Sequence, residues 1–149
     1  MIAAIVSALH VLAVTLGLGS VFARGRALRA HLDDAGLRRL FVADTVWGIA
    51  ALLLIGTGLA RAFGGLEKGA MFYLTSSLFW TKTALFAFVF ALEIWPMMTF
   101  VDWRRTRRKG GVPDTSRARA LYIVNHLEMV LVVVIVFVAS FMARGFGIR

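Results

Sequence analysis

Residues 2–22 read IAAIVSALHVLAVTLGLGSVF and contain no Asp, Glu, Lys or Arg. Similar apolar runs cover residues 41–60, 78–101 and 120–143, with a few ionisable side chains inside them. A helix needs about 20 apolar residues to cross a bilayer, and each run reaches that length. We therefore predict an all-α fold, an integral membrane antiparallel four-helix bundle forming a single transmembrane domain over residues 1–149. Because no basic residue precedes the first run, we expect it to be a retained helix rather than a signal peptide.

The composition excludes several classes of protein. Hydrophobic residues make up 60% of the chain, a larger share than in ordinary soluble domains. Four spans use most of the 149 residues, which leaves no room for a separate soluble module. The chain has no cysteine, so disulfides, thiolate metal sites, a cysteine nucleophile and covalently attached c-type haem are all excluded.

The formal net charge of +9 is concentrated in two segments between the apolar runs. These predicted basic loops, residues 23–40 and 102–119, contain Arg24, Arg26, Arg29, Arg38 and Arg39, and Arg104, Arg105, Arg107, Arg108, Lys109, Arg117 and Arg119. The opposite side carries only Arg61, Lys68, Arg144 and Arg149. Positive loops stay in the cytoplasm, so we predict a multi-pass protein of the bacterial inner (plasma) membrane with both termini outside. The basic residues then set topology and attract anionic lipid, and we expect no binding to nucleic acid.

Seven side chains with an ionisable or amide group lie inside the predicted spans: His10, Asp44, Lys82, Glu93, Asn125, His126 and Glu128. At about 1.5 Å per helical residue they fall into two tiers, one near each face of the membrane. The outer tier contains His10 and Lys82, and the inner tier holds the carboxylates together with His126. Polar groups inside a membrane face the bundle interior and mark functional sites by default.

Two interpretations of these residues stay open at this point. His10 is either a neutral imidazole bonded to a neighbouring hydroxyl or carbonyl group, or an axial ligand of haem iron. Glu93 and Glu128 either form a proton path or pair with Lys82, since an ion pair lowers the cost of burying each charge.

The chain resembles a bacterial family of small predicted membrane proteins of unknown function. The resemblance is carried by motifs spread along almost the whole chain: GLG at 17–19, RGRALR at 24–29, AD at 43–44, WGIAAL at 47–52, RAFGGLEKG at 61–69, LEIWPM at 92–97 and MARGF at 142–146.

A more distant resemblance is to the haem-containing HemJ-type membrane protoporphyrinogen oxidases and to copper-resistance D membrane proteins, which share a four-helix core. It is carried by ALHV at residues 8–11, by WTKTAL at 80–85 and by Asn125 with Glu128. The resemblance implies that His10 ligates haem b and that Lys82 is an essential residue. The segment 93–97 and the loop from Gly64 to Gly69 depart from the HemJ pattern.

These observations together predict a haem b-binding integral membrane redox protein, similar to a protoporphyrinogen oxidase. His10 is the predicted metal ligand, Lys82 the predicted catalytic and cofactor-binding residue, and His126 a further cofactor-binding residue. The expected partners are the lipid bilayer, a porphyrin or a quinone, and a second copy of the chain. The alternative is a protein without enzymatic activity: a non-haem four-helix carrier, an ion or proton conductor, or a partner subunit.

Overall fold

The computed structural model describes residues 1–66 and 69–147. Within these residues the chain forms the helices α1 (Ile2–Arg29), α2 (Asp34–Phe63), α3 (Ala70–Thr75), α4 (Ser77–Arg108) and α5 (Ala118–Ala143). The helices α1, α2, α4 and α5 are each long and apolar enough to cross a membrane, so the chain is a multi-pass membrane protein in contact with the bilayer. The short α3 lies in the connection between α2 and α4 and was not anticipated from the sequence.

Consecutive long helices run in opposite directions, as the sequence predicted. Helix α1 packs against α2 and α5, α5 packs against α4, and α2 approaches α4 at few of the described residues. At one end of the bundle, Arg107 on α4 pairs with Asp34 at the start of α2, with a distance of 2.8 Å. At the other end, the backbone N–H of Ser77 donates to the carbonyl of Gly147. We call the end with the α1–α2 and α4–α5 connections the basic end, and the opposite one the far end.

The helices are longer than the apolar runs inside them. Helix α1 continues seven residues beyond Phe22, and α2 begins at Asp34, so the connection between them is residues 30–33 only. The side chain of Asp33 ends this connection by accepting a hydrogen bond from the backbone N–H of Gly36 at 2.7 Å. The predicted basic loop 23–40 is therefore mostly helix, and its buried apolar side chains contribute to the core at this end. Lys68 and Arg149, which entered the topology prediction, lie outside the described residues.

Three apolar clusters are stacked along the bundle axis. The basic-end cluster is built around Leu40, Phe100 and Leu121, and the far-end cluster around Tyr73, Phe79 and Met142. Between them lies a middle layer of Val21, Trp47, Val89 and Val132, with one residue from each long helix. Many large apolar side chains outside these clusters are exposed, as expected of a surface that contacts lipid.

Gly36 offers a first test of the turn between α1 and α2. A Cβ atom at this position would lie 2.3 Å from the carbonyl oxygen of His31, so the backbone would have to move. We expect Gly36→Ala to lower the free energy of unfolding by about 1–3 kcal/mol, the usual cost of overpacking. Thermal unfolding in detergent measures this loss. The matched control is Gly48→Ala, because a Cβ at Gly48 meets nothing within 4 Å. Equal stability of the two variants would contradict the described turn.

Candidate functional site

The far half of the bundle encloses a cavity of about 410 Å³ that is lined by all four long helices and by α3. His10 from α1 and Lys82 from α4 both line it, so the structure brings these two predicted residues together. The remaining wall is almost entirely apolar. Where α2 and α4 diverge, the rim consists of the exposed side chains of Leu59, Phe63 and Trp80. We call this space the His10 cavity.

Thr57 on α2 fixes the imidazole of His10. The hydroxyl of Thr57 donates to the carbonyl of Leu53 at 2.5 Å, and its oxygen lies 2.7 Å from Nδ1 of His10. With the single hydroxyl proton of Thr57 assigned to the bond with Leu53, its oxygen is the acceptor for His10, which places the ring proton on Nδ1. The lone pair of the neutral ring is then on Nε2. This is the arrangement that orients ligand histidines in many metal sites.

Glycine and aromatic residues shape the cavity around these two side chains. A Cβ at Gly58 would lie 3.8 Å from Cε1 of His10, so the absence of a side chain there leaves space beside the ring. The Nζ atom of Lys82 lies 5.6 Å from the ring centroid of Phe79, within the range of a cation–π contact. Lys82 thus presents a positive charge to a cavity that is otherwise apolar.

A second polar feature, the Arg24 cluster, occupies the basic half of the bundle. Arg24 is 0% exposed, and its guanidinium group makes a two-pronged pair with Glu93 at 2.6 and 2.8 Å. Its Nη2 also donates to Glu128, and its Nε donates to Asn125 Oδ1 at 2.6 Å. Bidentate, charge-assisted bonds of this kind are among the strongest polar contacts in proteins.

Asp44 connects the cluster to a second arginine. One carboxylate oxygen of Asp44 lies 3.5 Å from Arg24, and the other accepts a hydrogen bond from Arg104 at 2.8 Å. The indole ring of Trp47 and the ring of Phe100 flank the Arg24 guanidinium, with ring centroids at 5.9 and 5.8 Å. The cluster thus joins all four long helices in one network.

Close packing of α1 and α5 is part of the same arrangement. The side-chain amide of Asn125 donates to the carbonyl of Val21 at 3.0 Å while its oxygen accepts from Arg24. A Cβ at Gly25 would lie 2.8 Å from Nδ2 of Asn125, so glycine is required where the two helices meet. The network holds three carboxylates and two guanidinium groups. Among the described residues, Oε1 of Glu128 is a buried side-chain oxygen without a hydrogen-bond partner in the protein.

The predicted site residues therefore separate into two groups and one outlier. His10 and Lys82 line the His10 cavity, whereas Asp44, Glu93, Asn125 and Glu128 belong to the Arg24 cluster. The partner that the structure gives to Glu93 and Glu128 is Arg24, not the expected Lys82. His126, predicted to bind a cofactor, is exposed on α5 and packs against the ring of Tyr122 at 5.7 Å between centroids. The structure does not bring it to the His10 cavity.

Sequence reasoning missed Arg24 and Thr57. Arg24 was assigned to a loop because it follows the apolar run, yet it continues the buried face of α1 that includes Gly17, Val21 and Leu28. The spacing of these residues is helical, which is one signal that Arg24 is buried. A second signal is charge, since three carboxylates inside the membrane with only one lysine indicate a further buried cation. Thr57 gave no signal, because a threonine in an apolar run usually bonds its own helix.

A protein-only metal centre has little support in this arrangement. Across residues 1–66 and 69–147, no three or more His, Cys, Asp or Glu side chains converge in a geometry that could hold a metal ion. A single axial histidine is a different case, because the macrocycle supplies the other ligands of haem iron.

Comparison with known proteins places the chain in a family. Residues 2–147 match the model of the family described as "predicted membrane protein (DUF2214)". No curated protein and no solved structure matches the chain. Since the match covers nearly all of its residues, the chain belongs to this family of predicted membrane proteins.

Proposed function

We propose that this membrane protein is a redox protein that binds haem b in the His10 cavity. The observation that carries the proposal is the convergence of His10 and Lys82 on one apolar cavity, with Thr57 holding the imidazole so that its lone pair is on Nε2. The cavity volume of about 410 Å³ falls within the range of about 300–1,000 Å³ that is typical of ligand sites.

The residues of the cavity would divide the work of holding haem between them. His10 would ligate the iron through Nε2, and Thr57 would fix the ring orientation by accepting from Nδ1. Lys82 would pair with a propionate, because a carboxylate in an apolar cavity is costly without a cation. The apolar wall would exclude water from the ring. Haem would supply one-electron transfer when bound.

The proposal extends to a haem-dependent membrane oxidoreductase that oxidises a porphyrinogen to a porphyrin. In that form, Lys82 binds a carboxylate of the tetrapyrrole substrate and is the catalytic residue. A quinone in the bilayer accepts the electrons. The distant resemblance to HemJ-type proteins at residues 8–11 and 80–85 supports this extension. A homodimer and the orientation with both termini outside remain predictions.

A non-haem carrier is the second candidate, since an apolar cavity with a cationic side chain suits any lipophilic anion. An ion or proton conductor is less favoured. The middle layer, which includes Val21 and Trp47, separates the His10 cavity from the Arg24 cluster. A conducting path would have to cross this apolar layer.

Filling the cavity tests the proposal. We expect purified protein to take up one equivalent of haem b with a Soret band, and Gly58→Phe to abolish uptake because the new ring occupies the space beside His10. The matched control is Gly56→Phe on the same helix, where a Cβ meets nothing within 4 Å. We expect the control to bind haem normally. Lys82→Gln should weaken binding about tenfold or more, as expected for the loss of one charged hydrogen bond.

The outcomes separate the two candidates. No haem uptake by the wild-type protein, or equal uptake by Gly58→Phe and Gly56→Phe, would contradict haem binding in this cavity. Binding of a lipophilic anion that is lost in Gly58→Phe, without haem uptake by the wild-type protein, would favour the carrier.

A further inference from the structure

An open groove runs along the outside of the bundle between α1 and α2, toward the basic end. It has a volume of about 860 Å³ and is lined by residues between Thr15 and Ala27 on α1, by Ala30 just after that helix, and by residues between Arg38 and Val46 on α2. Small side chains create the depression, and they include Gly19, Ser20, Ala23, Ala27 and Ala43. We call it the α1–α2 groove. It is separate from the His10 cavity and shares no lining residue with it.

Three arginines surround the basic end of this groove. Arg26, Arg38 and Arg39 all line it and are exposed. The two nearby acids, Asp33 and Asp34, do not line the groove. Asp34 pairs with Arg107. Asp33 accepts a hydrogen bond from the backbone N–H of Gly36, and its carboxylate also interacts electrostatically with Arg39 and His31. The groove therefore combines one strongly positive end with a long uncharged remainder.

The uncharged part of the groove matches the dimensions of a lipid acyl chain. Leu16, Phe22, Val42 and Val46 line it with apolar surface. From Thr15 to Arg26 the helix rises about 16 Å, which is close to half of a hydrocarbon core about 30 Å thick. A molecule lying here would keep its tail at membrane depth and its head beside the three arginines.

We propose that the α1–α2 groove is a binding site for an anionic diacyl phospholipid. The phosphate group lies among Arg26, Arg38 and Arg39, and one acyl chain lies along the small residues between α1 and α2. Basic pockets between membrane helices bind anionic headgroups in this way. The charge pattern favours a phosphatidylglycerol-type lipid over a zwitterionic one, because Arg26, Arg38 and Arg39 line the groove and no Asp or Glu among the described residues lines it to bind an ammonium group.

The charge of the site is tested by native mass spectrometry. Protein is released from nanodiscs that contain equal amounts of phosphatidylglycerol and phosphatidylcholine, and retained lipid is counted. We expect wild-type protein to retain phosphatidylglycerol, and the triple variant Arg26→Gln, Arg38→Gln, Arg39→Gln to bind it about a hundredfold more weakly. The control triple variant replaces three exposed arginines outside the groove, Arg105, Arg108 and Arg117, and should retain phosphatidylglycerol. Equal losses of phosphatidylglycerol in both triple variants would show that its retention depends on general surface charge, and would overturn the proposal.

The shape of the site is tested without changing charge. A Cβ at Gly19 meets nothing within 4 Å, so Gly19→Phe can fold normally while its ring fills the groove. We expect Gly19→Phe to lose bound phosphatidylglycerol and Gly48→Phe, which is equally open but outside the groove, to retain it. Excess glycerol phosphate should fail to displace the lipid, because it lacks acyl chains. Displacement by glycerol phosphate, lipid retention in Gly19→Phe, or a change of oligomeric state in that variant without lipid loss would each overturn the proposal.

Discussion

Replacing Arg24 with glutamine is expected to lower the free energy of unfolding by about 3–5 kcal/mol, because it removes one partner from a buried ion network. The change would leave Glu93 and Glu128 facing each other without their shared cation. The side chains of these two residues are 15% and 0% exposed, so water cannot replace the guanidinium group. Thermal unfolding in detergent, followed by circular dichroism, measures the loss.

Two further variants make the Arg24 experiment specific. Arg26→Gln removes the same charge two residues along α1, but from an exposed side chain, and it should change stability by less than about 0.5 kcal/mol. The double variant Arg24→Gln, Glu93→Gln removes one charge of each sign. It should be more stable than the Arg24 single variant, which reveals the coupling between the two residues. If Arg24→Gln were as stable as Arg26→Gln, the cluster would not hold the four helices together.

The predicted stability effect also separates the two polar features. The Arg24 cluster joins α1, α2, α4 and α5, and almost all of its polar atoms are partnered within the protein. Such a network favours one arrangement of the helices over others. The His10 cavity, by contrast, is open space with few polar side chains on its wall, among them His10 and Lys82. We therefore propose a structural role for the cluster and ligand binding for the cavity.

The four long helices, their antiparallel arrangement and their membrane character could be predicted from the sequence, because each apolar run is long enough to span a bilayer. The helix ends could not be predicted in this way. Hydropathy shows where a helix leaves the hydrocarbon core, whereas the helix itself ends where its backbone hydrogen bonds stop. Helix α1 continues to Arg29, well beyond the last residue of its apolar run. Asp33 and Gly36 end the α1–α2 connection through a local hydrogen bond that hydropathy does not register.

The residues of the candidate site could be predicted only in part, because the sequence indicates the depth of a side chain better than its direction. Counting residues along each helix placed His10 and Lys82 at similar depth, and both line one cavity. Depth says nothing about the direction in which a side chain points. His126, which was placed in the inner tier as a further cofactor-binding residue, is exposed on α5. Arg24 was assigned to the wrong environment because an arginine after an apolar run usually faces water or headgroups.

Removing the imidazole of His10 is the second change with a large expected effect. If haem iron is bound through Nε2, His10→Ala removes the axial ligand, and protein purified with haem should be colourless. His126→Ala is the matched control, because it removes an imidazole from the exposed side of α5. It should leave the Soret band unchanged. Thr57→Val should keep the Soret band but weaken haem binding, since the N–H at Nδ1 would lose the hydroxyl oxygen that accepts its hydrogen bond.

A structural role for His10 makes different predictions for the same variants. An imidazole that only bonds Thr57 would contribute about 0.5–1.5 kcal/mol to stability, as other hydrogen bonds do. His10→Ala would then lower the unfolding temperature slightly and leave every spectrum unchanged. Measuring stability and absorption on the same samples therefore distinguishes a ligand from a packing residue.

The most direct test is chemical rescue of His10→Gly with imidazole added to the buffer. Glycine leaves a hole next to Thr57, of the size of the missing ring, from which a free imidazole can reach the iron. We predict a Soret band in the wild-type protein, no band in His10→Gly, and a band that returns as imidazole is added. A band of full intensity in His10→Gly without imidazole would contradict haem ligation by this residue.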